Sequence, residues 1–279
     1  MRNFYTTTKR FLFPVIAGIF LQFLGGQQVK AQELTGTYTI GATGDYVTFN
    51  DAVSALNVNG ISSPVIFVVH SGTYTEQLVL NAITGASETN TITFQSQSGS
   101  AADVILTHAA VGVNDNYIIL LENASHFIVK NLTIKATGTA YSRTIRGQVE
   151  LHNILFEGNV FESPITASIS GDRGNVIITA STSSDVRFIN NTISGGSYGI
   201  FYQGTNGSSG SRALGFVFAQ NQMLDQYYRG VQISNLFEAQ VTDNRVVLLG
   251  ASSGSSDGYY VDEVEGALRF TGNRVTGAN

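Results

Sequence analysis

The stretch His126–Lys135, HFIVKNLTIK, sets alternating apolar strands on either side of an asparagine, and variants of it recur down the chain. ILFEGNVF carries Asn159, VRFINNTI Asn191, FVFAQNQML Asn221, AQVTDNRVV Asn244 and LRFTGNRVTG Asn273, so with Asn131 the unit of strand, polar pair, Asn and strand is written six times. The intervals between these asparagines are 28, 32, 30, 23 and 29 residues. A period in that range, with strand alternation inside each copy, predicts an all-β stack of supersecondary units that bury their apolar faces only against their neighbours. The repeated Asn has two structural readings. It hydrogen-bonds to the Asn above and below at the rung spacing of roughly 4.8 Å, or it adopts the left-handed conformation that a corner needs.

Composition agrees with one elongated domain of short strands and many turns. The 279 residues are 43% apolar and 13% charged, with 30 Gly, 3 Pro and no Cys. The absence of cysteine excludes disulfides and thiolate metal sites. Residues 1–31 read as a bacterial signal peptide: Arg2, Lys9 and Arg10 precede an apolar run from Phe11 to Leu24, and Val29-Lys30-Ala31 offers small residues for cleavage near Ala31. That run is too short for a comfortable membrane span. The expectation is a secreted or cell-surface protein, 32–279, with no membrane contact after cleavage. Of 15 basic residues, removal of Arg2, Lys9, Arg10 and Lys30 leaves 11 against 20 acidic ones, a net charge of −9. Such a surface repels phosphate backbones and excludes nucleic acid as a partner.

Between Thr48 and Asn57 the period changes. Phe49, Ala52, Val53 and Leu56 fall at i, i+3, i+4 and i+7, one face of a helix, with Thr48 and Asp51 placed as an approximate capping box. One amphipathic helix ahead of a stack of strands predicts a lid over the first rung. GDYVTFNDAVSAL (Gly44–Leu56) followed by PVIFVVHSGTYTEQLVL (Pro64–Leu80) is similar to the opening segment of the pectin-lyase-like superfamily, closest to pectin methylesterases, and to large secreted β-helix proteins of Bacteroidota. The resemblance implies a right-handed parallel β-helix with an N-terminal capping helix. Its catalytic part is missing: no Leu-Gly-Arg-Pro-Trp run occurs, there is no Trp, and the Asn-Thr-Asp, Asp-Asp and Gly-His-Gly signatures of polygalacturonases are absent. The resemblance therefore carries the fold over and no catalytic residue.

In the later repeats a second strand aligns on its glycine: IRGQV at Gly147, DRGNVII at Gly174, YGIFYQ at Gly199, RGVQIS at Gly230 and DGYYVDE at Gly258. Strand alternation then points Ile200, Val231 and Tyr259 inward with Tyr202, Ile233 and Val261. The outer face would show three columns: Tyr198, Arg229, Asp257; Phe201, Gln232, Tyr260; and Gln203, Ser234, Asp262. Extending the first column backwards adds Arg146 and Arg173. Aromatic faces beside Arg and Gln suit an extended sugar chain, and arginines at one repeat position in an acidic chain suit an anionic one, such as a uronate polymer. The structural alternative pairs these arginines with Asp172, Asp225 or Asp257. A turn-rich loop, Gly204–Ser211, separates two of the repeats.

Asp257, Asp262, Glu263 and Glu265 form the densest acidic cluster, which reads either as a solvated edge or as oxygen ligands for Ca²⁺. Such a calcium site is the one cofactor the sequence suggests. With Arg229 as base it would give a polysaccharide lyase. The four histidines share no short spacing and read as strand-end surface residues, and without a Gly-x-Ser-x-Gly elbow a nucleophilic hydrolase has no motif to stand on. The function expected is a non-catalytic surface or adhesin-like module contacting polysaccharide or a cell-surface glycan. The alternative is a lyase or other carbohydrate-active β-helix enzyme acting on a uronate polymer. The last repeat ends without a cap, which raises the expectation of further rungs beyond Asn279.

Overall fold

A computed structural model describes residues 32–207, 212–249 and 256–277. Residues 1–31, which the sequence reads as a signal peptide, and part of the Gly204–Ser211 loop lie outside the described residues.

The helix forms where the period predicted it, over Phe49–Asn59, with Phe49, Ala52, Val53 and Leu56 buried. Its capping box is complete. Thr48 Oγ1 accepts from Asp51 N at 3.0 Å, and Asp51 Oδ2 accepts from Thr48 N at 3.0 Å. Glu76, the acid of the Gly-Thr-Tyr-x-Glu turn, adds a second cap by accepting from Phe49 N at 3.2 Å and Asn50 N at 3.0 Å. A carboxylate there also complements the helix dipole. Phe49 meets Tyr74 edge-on at 5.1 Å and Phe94 at 5.8 Å, so the helix lids the stack as expected.

The remainder is a right-handed parallel β-helix, in which three strands per rung wind round one apolar core. The first, here the arginine face, includes Ile145–Gln148, Val176–Thr179, Tyr198–Gln203 and Arg229–Ser234. The second, the phenylalanine face, stacks Tyr38, Phe67, Phe94, Val129, Phe156, Phe188, Phe218, Val241 and Phe270 inward. Phe67 lies on Phe94 at 4.9 Å and Phe156 on Phe188 at 5.0 Å. The third, narrow face is an eight-stranded sheet running from Gly72–Thr75 to Arg274–Gly277. Strands such as Arg229–Thr242 serve two faces because they bend at a left-handed residue between them.

Between the phenylalanine and narrow faces lies an asparagine ladder. Asn159, Asn191, Asn221 and Asn244 are each 1% exposed. Asn191 Oδ1 accepts from Asn159 N at 2.9 Å and Asn159 Nδ2 at 3.2 Å, while Asn191 Nδ2 donates to Phe156 O at 3.0 Å and Asn221 Oδ1 at 3.0 Å. The same set repeats through Asn221, Asn244 and Asn273. Asn131 is a correction, because it does not belong to this ladder. The rung of Asn159 places Leu132, whose N–H donates to Asn159 Oδ1 at 3.0 Å, in the ladder position. Asn131 instead has φ 53 and shares the preceding, left-handed position with Gly158, Asn190, Gln220, Asp243 and Gly272. Both structural readings of the asparagines therefore hold, on adjacent columns.

Candidate functional site

On the arginine face the register of the later rungs is the expected one: Tyr198, Arg229 and Asp257 align, as do Phe201, Gln232 and Tyr260, and Gln203, Ser234 and Asp262. Inward, Ile200, Tyr202, Val231 and Ile233 are buried, whereas Tyr259 is half-buried and Val261 exposed on the last described rung.

Arg229 is the centre of this face. Its guanidinium carbon lies 3.8 Å from the Tyr260 ring centroid and 4.6 Å from that of Tyr228. Nε donates to Asp257 Oδ2 at 2.9 Å and Nη1 to Gln232 Oε1 at 2.6 Å. Among the described residues its Nη2 has no acceptor, so the outer end of a stacked, 15% exposed guanidinium stays open. Tyr198 continues the aromatic surface, edge-on to Tyr228 at 5.3 Å and to Phe201 at 5.6 Å. Burial raises the Tyr198 phenol above its ordinary pKa, Tyr228 adding to this and Arg229 opposing it. A partly desolvated guanidinium with one edge free, set among aromatic faces, can hold a carboxylate while neighbouring rings stack on sugar.

Two arginines placed by sequence leave that column. Ile145 pairs with Val176, which aligns Arg146 with Ile177, Phe201, Gln232 and Tyr260. Arg146 Nη1 donates to Val113 O at 3.2 Å. Arg173 sits in a short 3₁₀ turn, Gly171–Arg173, where it donates to Thr166 Oγ1 at 3.1 Å. The cause is that the glycines used as landmarks do two jobs. A Cβ on Gly199 or Gly230 would strike the backbone of the next rung, whereas Gly147 faces the Ile178 side chain inside the core.

The residue at the start of the face that sequence reading missed is Arg143. Its Nη2 donates to Asp172 Oδ1 at 2.8 Å, Nε to Gly171 O at 3.0 Å, and its N–H to Asn116 Oδ1 at 2.9 Å. Asn116 Nδ2 in turn donates to Asp172 O at 3.0 Å. Burial lowers the Arg143 pKa and Asp172 opposes this. The side chains of Arg143 and Asn116 together thus tie the loops of three successive rungs along the edge of the face. Behind them Leu120 and Ile177, though on outward positions, are only 8% and 7% exposed.

The acidic cluster does not assemble. Asp257 is taken by Arg229, while Arg212 reaches Glu265 Oε1 at 3.1 Å and Glu263 Oε2 at 3.8 Å. The chain turns at Glu263, φ 47, and this separates Asp262 from Glu265. Among the described residues no three Asp, Glu or His side chains converge as a metal site. The calcium and lyase geometry expected from Asp257, Asp262, Glu263 and Glu265 is accordingly not formed by those four residues.

No protein-family model matches the chain, and no curated protein sequence matches it. Among solved structures, pectin methylesterase from Aspergillus niger in deglycosylated form is similar with a TM-score of 0.53 and 15% identity, over 90% of this chain and 89% of that one. Its penultimately deglycosylated form gives 0.51 and 16%, over 85% and 87%. Identity at that level speaks for the backbone and not for the chemistry. The chain thus adopts the pectin-lyase-like β-helix fold, as seen in pectin methylesterases.

Proposed function

We propose that this chain is an exported β-helix module that contacts anionic polysaccharide through its arginine face, as a surface or adhesin-like protein. The observation that carries the reading is the Arg229 guanidinium, stacked between Tyr228 and Tyr260 with its Nη2 end open. Tyr198, Phe201 and Gln232 extend that surface along two rungs, and Arg146 lies on the column of Phe201 and Gln232. The dispersal of the nearby carboxylates onto Arg229 and Arg212 favours binding over elimination chemistry on this face. Export rests on the leader-like residues 1–31.

The test is affinity electrophoresis of the purified chain in gels containing polygalacturonate, alginate or dextran. Retardation by a uronate polymer and not by dextran is expected, weakening with salt. Because Lys cannot reproduce the planar fork, Arg229→Lys and Tyr260→Ala should each weaken it about tenfold or more. No retardation, or retardation equal in both variants and wild type, would remove this assignment. N-terminal sequencing of protein recovered from the medium should begin near Gln32.

A further inference from the structure

At the corner between the arginine and phenylalanine faces, side chains from separate rungs meet. His152 pairs in register with Ser184, and Ser184 Oγ lies 2.9 Å from His152 Nδ1. On the other side of the ring, Glu150 Oε2 is 3.8 Å from His152 Nε2. The next residues, Asn153 and Asp185, are both left-handed, φ 50 and 56, and line a groove of about 250 Å³ with Glu88 and Arg187. Arg187 Nη2 donates to Asn153 Oδ1 at 3.0 Å, while its buried Nε has no hydrogen-bond partner among the described residues. A buried, unpartnered cationic donor is costly unless something else occupies it.

From these positions we infer that Ser184 and His152 form a nucleophile and base for cleavage of short O-acyl esters, with Glu150 orienting the imidazole and Arg187 supplying the charge beside the groove. The logic is that of any activated serine, in which a weak nucleophile gains a base within hydrogen-bond reach and the base gains an orienting acid. Ser184 Oγ attacks the ester carbonyl carbon as its proton passes to His152 Nδ1. The carbonyl electron pair becomes an oxyanion, opposite in charge to the guanidinium of Arg187. The oxyanion collapses, the carbon–oxygen bond to the alcohol breaks, and His152 returns the proton to the leaving oxygen. Water then attacks the acyl-serine, gives its proton to His152, and Ser184 recovers it. The sum is ester and water to carboxylic acid and alcohol, with no co-reactant. The Glu150 carboxylate, 3.8 Å from Nε2, favours a proton on that side of the ring by its charge and so leaves Nδ1 as the base facing Ser184. This inference stands apart from the polysaccharide reading, since it uses no residue of the Arg229 cluster.

The experiment is labelling of the purified chain with a fluorophosphonate probe, followed by peptide mass spectrometry, alongside hydrolysis of p-nitrophenyl acetate. Modification of Ser184 is expected, with labelling and hydrolysis both abolished in Ser184→Ala. General-base assistance of the usual size predicts a fall of about 10²-fold or more in His152→Ala, partly restored by added imidazole. Glu150→Gln should lower kcat with KM unchanged, a split that a merely structural role would not give. Ser184 and His152 are outside the core, so circular dichroism should match wild type in each variant. An unlabelled Ser184, or labelling indifferent to His152→Ala, overturns the inference.

Discussion

At the asparagine corner the left-handed residues Gly158, Asn190, Gln220 and Asp243 are each followed by a buried Asn that spends its amide on the neighbouring rungs. At the histidine corner the left-handed column of His126, Asn153, Asp185, Gly215 and Glu238 is followed by the inward residues Phe127, Ile154, Val186, Phe216 and Ala239. The two corners turn the backbone by the same device. One then satisfies its own polar groups inside the core, and the other faces them outward, varied from rung to rung. Repetition therefore marks where the solenoid is held together, and loss of repetition marks where side chains are left to differ from rung to rung.

The sharpest way to break this comparison is Asn191→Ala. It leaves the Asn159 N–H buried without an acceptor and removes the side-chain donor to the Phe156 carbonyl. One or two unsatisfied buried groups predict a loss of about 3 kcal/mol, read from the urea midpoint with the slope unchanged. A loss below about 1 kcal/mol would show that the ladder is ornament and the phenylalanine stack alone holds the rungs.

Arg143→Met ranks next. The long apolar stem is kept, while the hydrogen bonds to Gly171 and Asp172 go, so a loss of about 2 kcal/mol is expected. Faster proteolysis should appear first in the loops near Asn116 and Gly171. If cleavage appears uniformly along the chain instead, Arg143 is a global stabiliser and not a clasp for the edge of the arginine face. Asn131→Gly, by contrast, should change stability by less than about 0.5 kcal/mol, because glycine occupies the same left-handed position at Gly158 and Gly272.

These pairs also show what could be read without coordinates. The Asn spacing predicted the stack, and the columns of Tyr198, Phe201 and Gln203 were placed correctly because strand alternation there runs without an inserted residue. Asn131 was misplaced because Lys-Asn-Leu offers its Asn one residue before the ladder position, where the other rungs carry Gly-Asn, Asn-Asn, Gln-Asn, Asp-Asn and Gly-Asn. Glycine misled more seriously, since a corner Gly and a core Gly look alike in sequence, and Arg146 and Arg173 went with it. Arg143 had no signal at all, as its partners lie on irregular loops. The pairing of His152 with Ser184 was present in principle: they are 32 residues apart, as Asn159 and Asn191 are. Applying the ladder interval to the neighbouring corner would have brought them together, whereas a search for local motifs could not.

The smallest effect expected is visible only as a pH dependence. His126 titrates below its ordinary value of 6.5, chiefly because burial disfavours the imidazolium, with His152 lowering it further and Glu88 opposing. His126 Nδ1 faces Asn153 Nδ2 at 3.2 Å, and Glu150 lies on the far side of His152. A histidine with a depressed folded pKa binds its proton more readily in the unfolded chain. It adds nothing to the pH dependence while both states are neutral, and it costs stability as the pH falls below 6.5 towards and past the folded value. His126→Asn removes the proton and keeps a residue suited to φ 62. The urea midpoint of the variant should therefore fall less than that of wild type between about pH 7 and about pH 5. Parallel curves would mean that the histidine corner is as indifferent to protonation as the asparagine corner, and the contrast between the two would then rest on Ser184, His152 and Arg187 alone.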